Sequence, residues 1–246
     1  DNVGSIPVIP QILGKEPLEF IDLANRLYEV GYTEINWNIG CPMRRVTAKH
    51  RGSGILPYPD EVESILSQIV PNMKAKLSVK MRLGLNDIEE IFNLIPILNS
   101  YPLTNVTIHP RTGRQQYGGQ VDLDTFERAY KLIKHPVIFN GDICTLANYR
   151  NLCQRFPDIE DYMIGRGVLY DPLLPLKIKG IIDENDKDAS IQAAHKFINA
   201  SSKPSSPSKR ATFFLVFASS SAKRDIKNSY AWHMSFLLLI ILMSIL

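Results

Sequence analysis

Over its first 180 positions the chain alternates short apolar runs with longer amphipathic stretches. Residues 6–13, 34–39, 76–81, 105–108, 137–139 and 161–164 read as strands. Between the first two, residues 17–30 carry Phe20, Leu23, Ala24, Leu27 and Tyr28 at helical spacing. Residues 59–70, 87–98, 124–133 and 146–155 read as further helices, with a short one around 172–179. Pro59 suits a first helical turn, Pro71 stops that helix, and Thr145 is placed to cap the helix after it. Residues 40–58 form a loop too long to be a simple connection. Strand is followed by helix throughout. The expected class is α/β, a TIM (β/α)8 barrel present here as about six βα units.

Polar and glycine signatures close the apolar runs. Thr33-Glu34-Ile35-Asn36-Trp37 ends in Asn38-Ile39-Gly40-Cys41-Pro42, and Leu77-Ser78-Val79 ends in Lys80-Met81-Arg82. Val106-Thr107-Ile108 ends in His109-Pro110-Arg111-Thr112, residues 136–139 end in Asn140-Gly141-Asp142, and Tyr162-Met163-Ile164 ends in Gly165-Arg166-Gly167. Cys41, Lys80, His109, Asn140 and Gly165 are 39, 29, 31 and 25 residues apart. One βα unit is about 30 residues long. Each unit then delivers a polar group to one end of the sheet, the end where parallel α/β proteins carry their chemistry.

Of the 246 residues, 45% are apolar and 22% charged, enough to bury a large core. A net charge of +3 permits a nucleic-acid partner without demanding one. Three cysteines, Cys41, Cys144 and Cys153, make no disulfide framework, suit a reducing compartment, and fit a cytoplasmic protein. They form no CxxC pair or His/Cys cluster, so no metal is expected. Residues 1–180 are read as the catalytic domain. In 181–246 a charge run at 183–188 and a Ser/Pro/Lys segment at 201–210 read as solvated linker. The apolar run at 236–246 is 11 residues, short of the roughly 20 that span a bilayer, so membrane contact is not expected. No obligate protein partner is implied.

The converging groups suggest a ligand. Gly165-Arg166-Gly167 between a strand and a short helix, with Asn140-Gly141-Asp142 one strand earlier, reads as a phosphate site; the plainer alternative is a pair of tight turns. Lys80 and His109 present donors inside an otherwise apolar setting, which implies an anionic or electron-rich ligand such as a flavin. The alternatives are an exposed strand-end lysine and a satisfied core histidine. Alone, Cys41 would be read as a small buried hydrophobe. Arg44, Arg45, Lys49, His50 and Arg51 surround it, as a phosphate backbone would require, or as any solvated basic loop would.

Together these segments resemble the tRNA-dihydrouridine synthase family. The matching stretches are Asn38-Ile39-Gly40-Cys41-Pro42 with Val46, Gly52-Ser53-Gly54 and Ile55-Leu56; Ser78 to Gly84; His109 to Thr112; Asn140 to Ile143; and Met163 to Gly167 followed by Pro172. Pro7 to Gly14 is similar to the family's third barrel strand, and the resemblance covers roughly residues 5–178. It implies two further strands ahead of Asp1 and a C-terminal helical domain, of which residues 189–200 would be the first helix. His109-Pro110-Arg111 carries Pro where the family usually has a small residue.

The resemblance implies FMN-dependent reduction of uridine to 5,6-dihydrouridine in tRNA, with NADPH as reductant. It implies Cys41 as the proton donor to C5. Gln11, Lys80 and His109 would lie on the isoalloxazine, with Asn140, Gly141, Asp142, Gly165 and Arg166 on or near the phosphate. Asn38 would contact the flavin or, as substrate, the target uracil, and Arg44, Arg45, Lys49, Arg51 and Arg111 would face substrate. Two other readings compete: a truncated barrel without activity, and an FMN oxidoreductase acting on a small pyrimidine. The basic neighbours of Cys41 favour tRNA over a small substrate.

Overall fold

The structure, a computed structural model, describes residues 8–183, 188, 191, 192 and the strand at 241–243. The expectations for 201–210, for most of the run at 236–246 and for most of the helix at 189–200 lie outside the described residues. No described helix is long and apolar enough to cross a membrane.

The elements, in order, are β1 (Gln11–Ile12), α1 (Pro17–Glu29), β2 (Glu34–Ile39), α2 (Arg44–Thr47), a 3-10 turn (Gly52–Ile55) and α3 (Pro59–Ile69). Then come β3 (Lys76–Gly84), α4 (Glu90–Leu98), β4 (Leu103–Thr112), α5 (Leu123–Tyr130), β5 (Val137–Asn140) and α6 (Leu146–Arg155). The remainder are β6 (Asp161–Ile164), α7 (Arg166–Tyr170), α8 (Leu174–Ile178) and β7 (Ile241–Met243). Six parallel strands in sequence order make this an incomplete TIM-barrel arrangement; β7 adds to β6 antiparallel. The chain divides into two compact units, the first ending at Ile138 and the second beginning at Phe139.

In the first unit β2 pairs along its length with β3, Glu34 opposite Lys76 and Asn38 opposite Lys80. Lys80 in turn lies opposite Thr107 of β4, and Arg82 opposite His109. Alternation sorts the side chains. Ile35, Trp37, Ile39, Val79, Met81, Leu83, Val106 and Ile108 are at most 1% exposed. These residues share the strand faces opposite the polar set, and the helices bring Phe20, Ala24, Leu66, Ile91, Leu94 and Phe126 to the core. Trp37 fixes this layer: its ring meets Phe20 edge-on at 6.2 Å, and its Nε1 donates to the Gly14 carbonyl at 2.8 Å.

Several boundaries differ from expectation. β1 is two residues long because Pro10 has no N–H to extend the ladder; its carbonyl still accepts from Asn36 N at 2.8 Å. β3 and β4 run on through Lys80-Met81-Arg82 and His109-Pro110-Arg111-Thr112. His109 therefore lies inside a strand rather than beyond its end, while Lys80 stays within its strand as expected. α4 begins at Glu90, not Asp87, since the Glu90 carboxylate is occupied by the N–H groups of Leu85, Asn86 and Asp87 at 2.7, 3.1 and 3.1 Å. α5 begins after Asp122, whose carboxylate accepts from Thr125 N at 2.8 Å and caps it.

In the second unit α6 follows the expected span, with a capping box between Thr145 and Asn148. Phe139 packs its ring 6.3 Å from both Phe156 and Tyr162.

Candidate active site

In the first unit the inner faces of β1 to β4 are polar throughout: Gln11, Asn36 and Asn38, Ser78, Lys80 and Arg82, then Thr107, His109 and Arg111. A directional chain of side-chain hydrogen bonds links Asn38, Gln11, Asn36 and Ser78. Asn38 Nδ2 donates to Gln11 Oε1 at 2.7 Å, Gln11 Nε2 to Asn36 Oδ1 at 2.7 Å, and Asn36 Nδ2 to Ser78 Oγ at 3.0 Å. Each amide's orientation is thereby set by its neighbour. Asn38 Oδ1 also accepts from Gly40 N at 3.0 Å, tying the chain of amides to the turn that leads into Cys41.

Lys80 sits beside this chain, opposite Asn38. Burial, aided by the Arg82 charge and opposed by Cys41, pushes its ammonium down to about 8 from 10.5. Its ammonium has no hydrogen bond or ion pair among the described residues. The Thr107 hydroxyl on the neighbouring strand is also buried without a hydrogen-bond partner. Two polar groups, one cationic, are thus left facing the same side.

His109 and Arg111 are bonded to each other. Arg111 Nη1 lies 3.1 Å from His109 Nε2. A guanidinium can only donate, so Nε2 accepts and the neutral imidazole carries its proton on Nδ1. Arg111 also donates to the carbonyls of Gly118 and Gly119 at 3.1 and 2.7 Å and is 2% exposed. Arg111, expected among the substrate contacts, is buried and braces the loop after β4.

Cys41 follows the carboxyl end of β2 and is half-buried with a free thiol. Ser53 holds its carbonyl twice, through N at 2.9 Å and Oγ at 3.1 Å. Gly52, at φ +55, lies so close that a Cβ there would stand 2.5 Å from the Cys41 carbonyl oxygen and 2.8 Å from its Cβ. The long loop is therefore a built structure, α2 plus a 3-10 turn. Glu61 anchors its far end to Lys15 at 2.6 Å and His50 at 3.3 Å. Burial pushes the Glu61 carboxyl up, but the Lys15 and His50 hydrogen bonds outweigh it and hold it below its ordinary value. Arg44, Arg45 and Lys49 are exposed, while Arg51 is half-buried.

The second unit holds the other expected group. Asn140, buried, donates from Nδ2 to the Met163 carbonyl at 2.8 Å and stitches β5 to β6. Gly141 has φ +144 and Asp142 φ +49, so the turn after β5 needs its glycine. Asp142 Oδ1 pairs with Arg166 Nη2 at 2.9 Å. Gly167 must lack a Cβ, which would overlap the Ile143 carbonyl oxygen, whereas a Cβ on Gly165 would meet nothing within 4 Å. Gly165 thus leaves open space at the start of α7, next to a held guanidinium.

Sequence reading did not assign roles to Asn36, Ser78, Arg82 or Thr107. The available signal was their alternation with the fully buried apolar residues of the same strands.

The family model described as dihydrouridine synthase matches residues 1–207, and the chain belongs to that family. It is 31% identical over 176 residues to tRNA-dihydrouridine synthase B of Pasteurella multocida, covering 71% of this chain and 53% of that protein. It is 29% identical over 184 residues to tRNA-dihydrouridine(16) synthase of Cupriavidus necator, covering 74% and 57%. For tRNA-dihydrouridine synthase B of Escherichia coli the figures are 31% over 180 residues, 72% and 55%. The chain spans about half the length of these curated relatives.

Proposed function

We propose that this chain carries the catalytic core of an FMN-dependent reductase of tRNA uridines, with residues 1–180 as the catalytic region and NADPH as the source of electrons. The observation that supports this best is the pairing of a partnerless, half-buried Lys80 with the Cys41 thiol at the carboxyl end of the adjacent strand. Lys80 and the orphan Thr107 hydroxyl call for an electron-rich partner, and the N1–C2=O edge of a flavin fits that need. Bound FMN, recharged by NADPH, would supply a hydride to C6 of the uracil.

The chain's own residues do the rest. Gln11, locked by Asn38 and Asn36, and His109, with its proton on Nδ1, present oriented polar groups to the ring. Cys41 gives its proton to C5 of the same base, so hydride and proton together saturate the C5–C6 bond. Reaching a base in this way requires it to be splayed out of the RNA. The exposed Arg44, Arg45 and Lys49 take the phosphate backbone, with Arg51 behind them. Arg111 serves His109 and the loop after β4 rather than RNA. In the second unit Asn140, Gly141, Asp142, Gly165 and Arg166 serve the cofactor phosphate, Arg166 held ready by Asp142. Three free thiols suit a reducing compartment, and the proposed place of action is the cytoplasm.

The test is tRNA dihydrouridine content, measured by mass spectrometry, in cells lacking their own synthases and expressing this sequence joined to the remainder of a family barrel. Cys41→Ala should leave FMN bound and lower dihydrouridine formation by about 10²- to 10⁴-fold, the loss typical of removing one general acid. Unchanged dihydrouridine rejects the role of the thiol, and loss of FMN makes Cys41 structural.

A further inference from the structure

Arg82 lies on the inner face of β3, two positions beyond Lys80, and is 2% exposed. Its guanidinium spans two loops. Nε donates to the Gly40 carbonyl at 3.0 Å; Nη1 donates to the carbonyls of Thr112 at 2.9 Å and Gln116 at 2.6 Å. Gly40 immediately precedes Cys41. Gln116 is held at φ +51, a left-handed conformation unusual for a residue with a side chain, so that its carbonyl meets the guanidinium. The same two loops touch a second time, since a Cβ on Gly113 would overlap Ser53 Oγ, the hydroxyl that holds the Cys41 carbonyl.

We propose that Arg82 is a positioning residue for the Cys41 thiol: by gripping Gly40 and the loop after β4 at once, it fixes where the proton donor stands. Only a planar fork with several fixed N–H directions can serve three carbonyls in this way; a lysine ammonium cannot reach all three. The carbonyl before Cys41 is held by Arg82 and that of Cys41 itself by Ser53, so the backbone on either side of the thiol's Cα is anchored. The functional meaning rests on Cys41 being the proton donor, while the anchoring itself does not.

Site-resolved alkylation of the full chain with iodoacetamide tests it. Rates are taken on the high-pH plateau, where thiols are fully ionised and accessibility alone is compared. Cys144 and Cys153 lie in the second unit and serve as internal references. Arg82→Met, which loses the bond to Gly40 together with the two to Thr112 and Gln116, should raise the Cys41 rate by about tenfold or more through easier local opening, with the two references unchanged. Arg82→Lys, which keeps the charge and loses the fork, should also raise the Cys41 rate selectively. An unchanged Cys41 rate in both variants overturns the proposal. So does a parallel rise of all three thiols in both, which marks general loosening, and so does a rise in Arg82→Met that Arg82→Lys abolishes, which marks charge rather than geometry. Were dihydrouridine formation to survive Cys41→Ala, the proton-donor reading would fall and the alkylation result would still stand.

Discussion

A lysine held in a polar but partnerless setting costs the folded protein stability wherever it remains charged. Lys80 is depressed to about 8 from 10.5, so between these values the unfolded chain binds more protons than the folded one. Stability therefore rises as pH rises through that window and is lowest below pH 8. Lys80→Met removes the penalty. We predict that it raises stability by ~1–3 kcal/mol at pH 7, with the gain shrinking towards zero by pH 10.5, in urea titrations of both proteins across this range. An equal gain at both pH values would show that the ammonium is not desolvated. A flavin edge that accepts from Lys80 would offset the same penalty by binding, so the destabilising residue is also the one expected to contribute to cofactor affinity.

At the scale of elements, the turn between β3 and α4 rests on one carboxylate. Glu90 takes three successive backbone N–H groups, and Gly84 beneath it has no room for a Cβ beside the Asp87 carbonyl. Glu90→Ala should cost about 1–3 kcal/mol in urea unfolding, because the part-buried Leu85 N–H and two exposed ones lose a charged acceptor; a change below a few tenths would show that water replaces it. Such a turn is not visible in residue patterns, and Asp87 looked like a better helix start than Glu90. The same holds for the strand ends. Lys80-Met81-Arg82 and His109-Pro110-Arg111 read as the close of a strand because polar residues replace apolar ones, yet the alternation continues with polar groups facing inward. Element type and order were legible from periodicity. Gln11 and Asn38 were legible as candidates, but their bond to each other, and the roles of Asn36 and Arg82, depend on cross-strand register that no local pattern contains. α2 makes its own prediction. If Arg44 and Arg45 meet RNA phosphates, the double variant to Ala should flatten the salt dependence of tRNA binding by about 2 in log–log slope; a slope unchanged from wild type would place RNA elsewhere.

For the whole molecule the question is how well six parallel strands hold a cofactor that the family's barrel would surround. A closed barrel of this kind uses eight strands and leaves no edge. Here β1 is two residues long, stands at the end of the strand order, and pairs only with β2 among the described residues. Gln11, one of the residues expected against the flavin ring, sits on that edge strand, held laterally by Asn36 and Asn38 and by no strand on its other side among the described residues. A strand paired on one side only frays and invites association with other chains. We therefore predict that the 246-residue chain expressed alone retains FMN at well below one equivalent after desalting, read from flavin absorbance against protein, and that adding two βα units of a relative ahead of Asp1 restores it. The polar ladder gives the prediction a second readout: with the edge covered, hydrogen exchange at Gln11 and Ile12 should slow by orders of magnitude, as for strands inside a sheet. Stoichiometric FMN on the chain alone would show that the edge at β1 is already stable enough, and the proposed reaction would then apply to this chain without further strands.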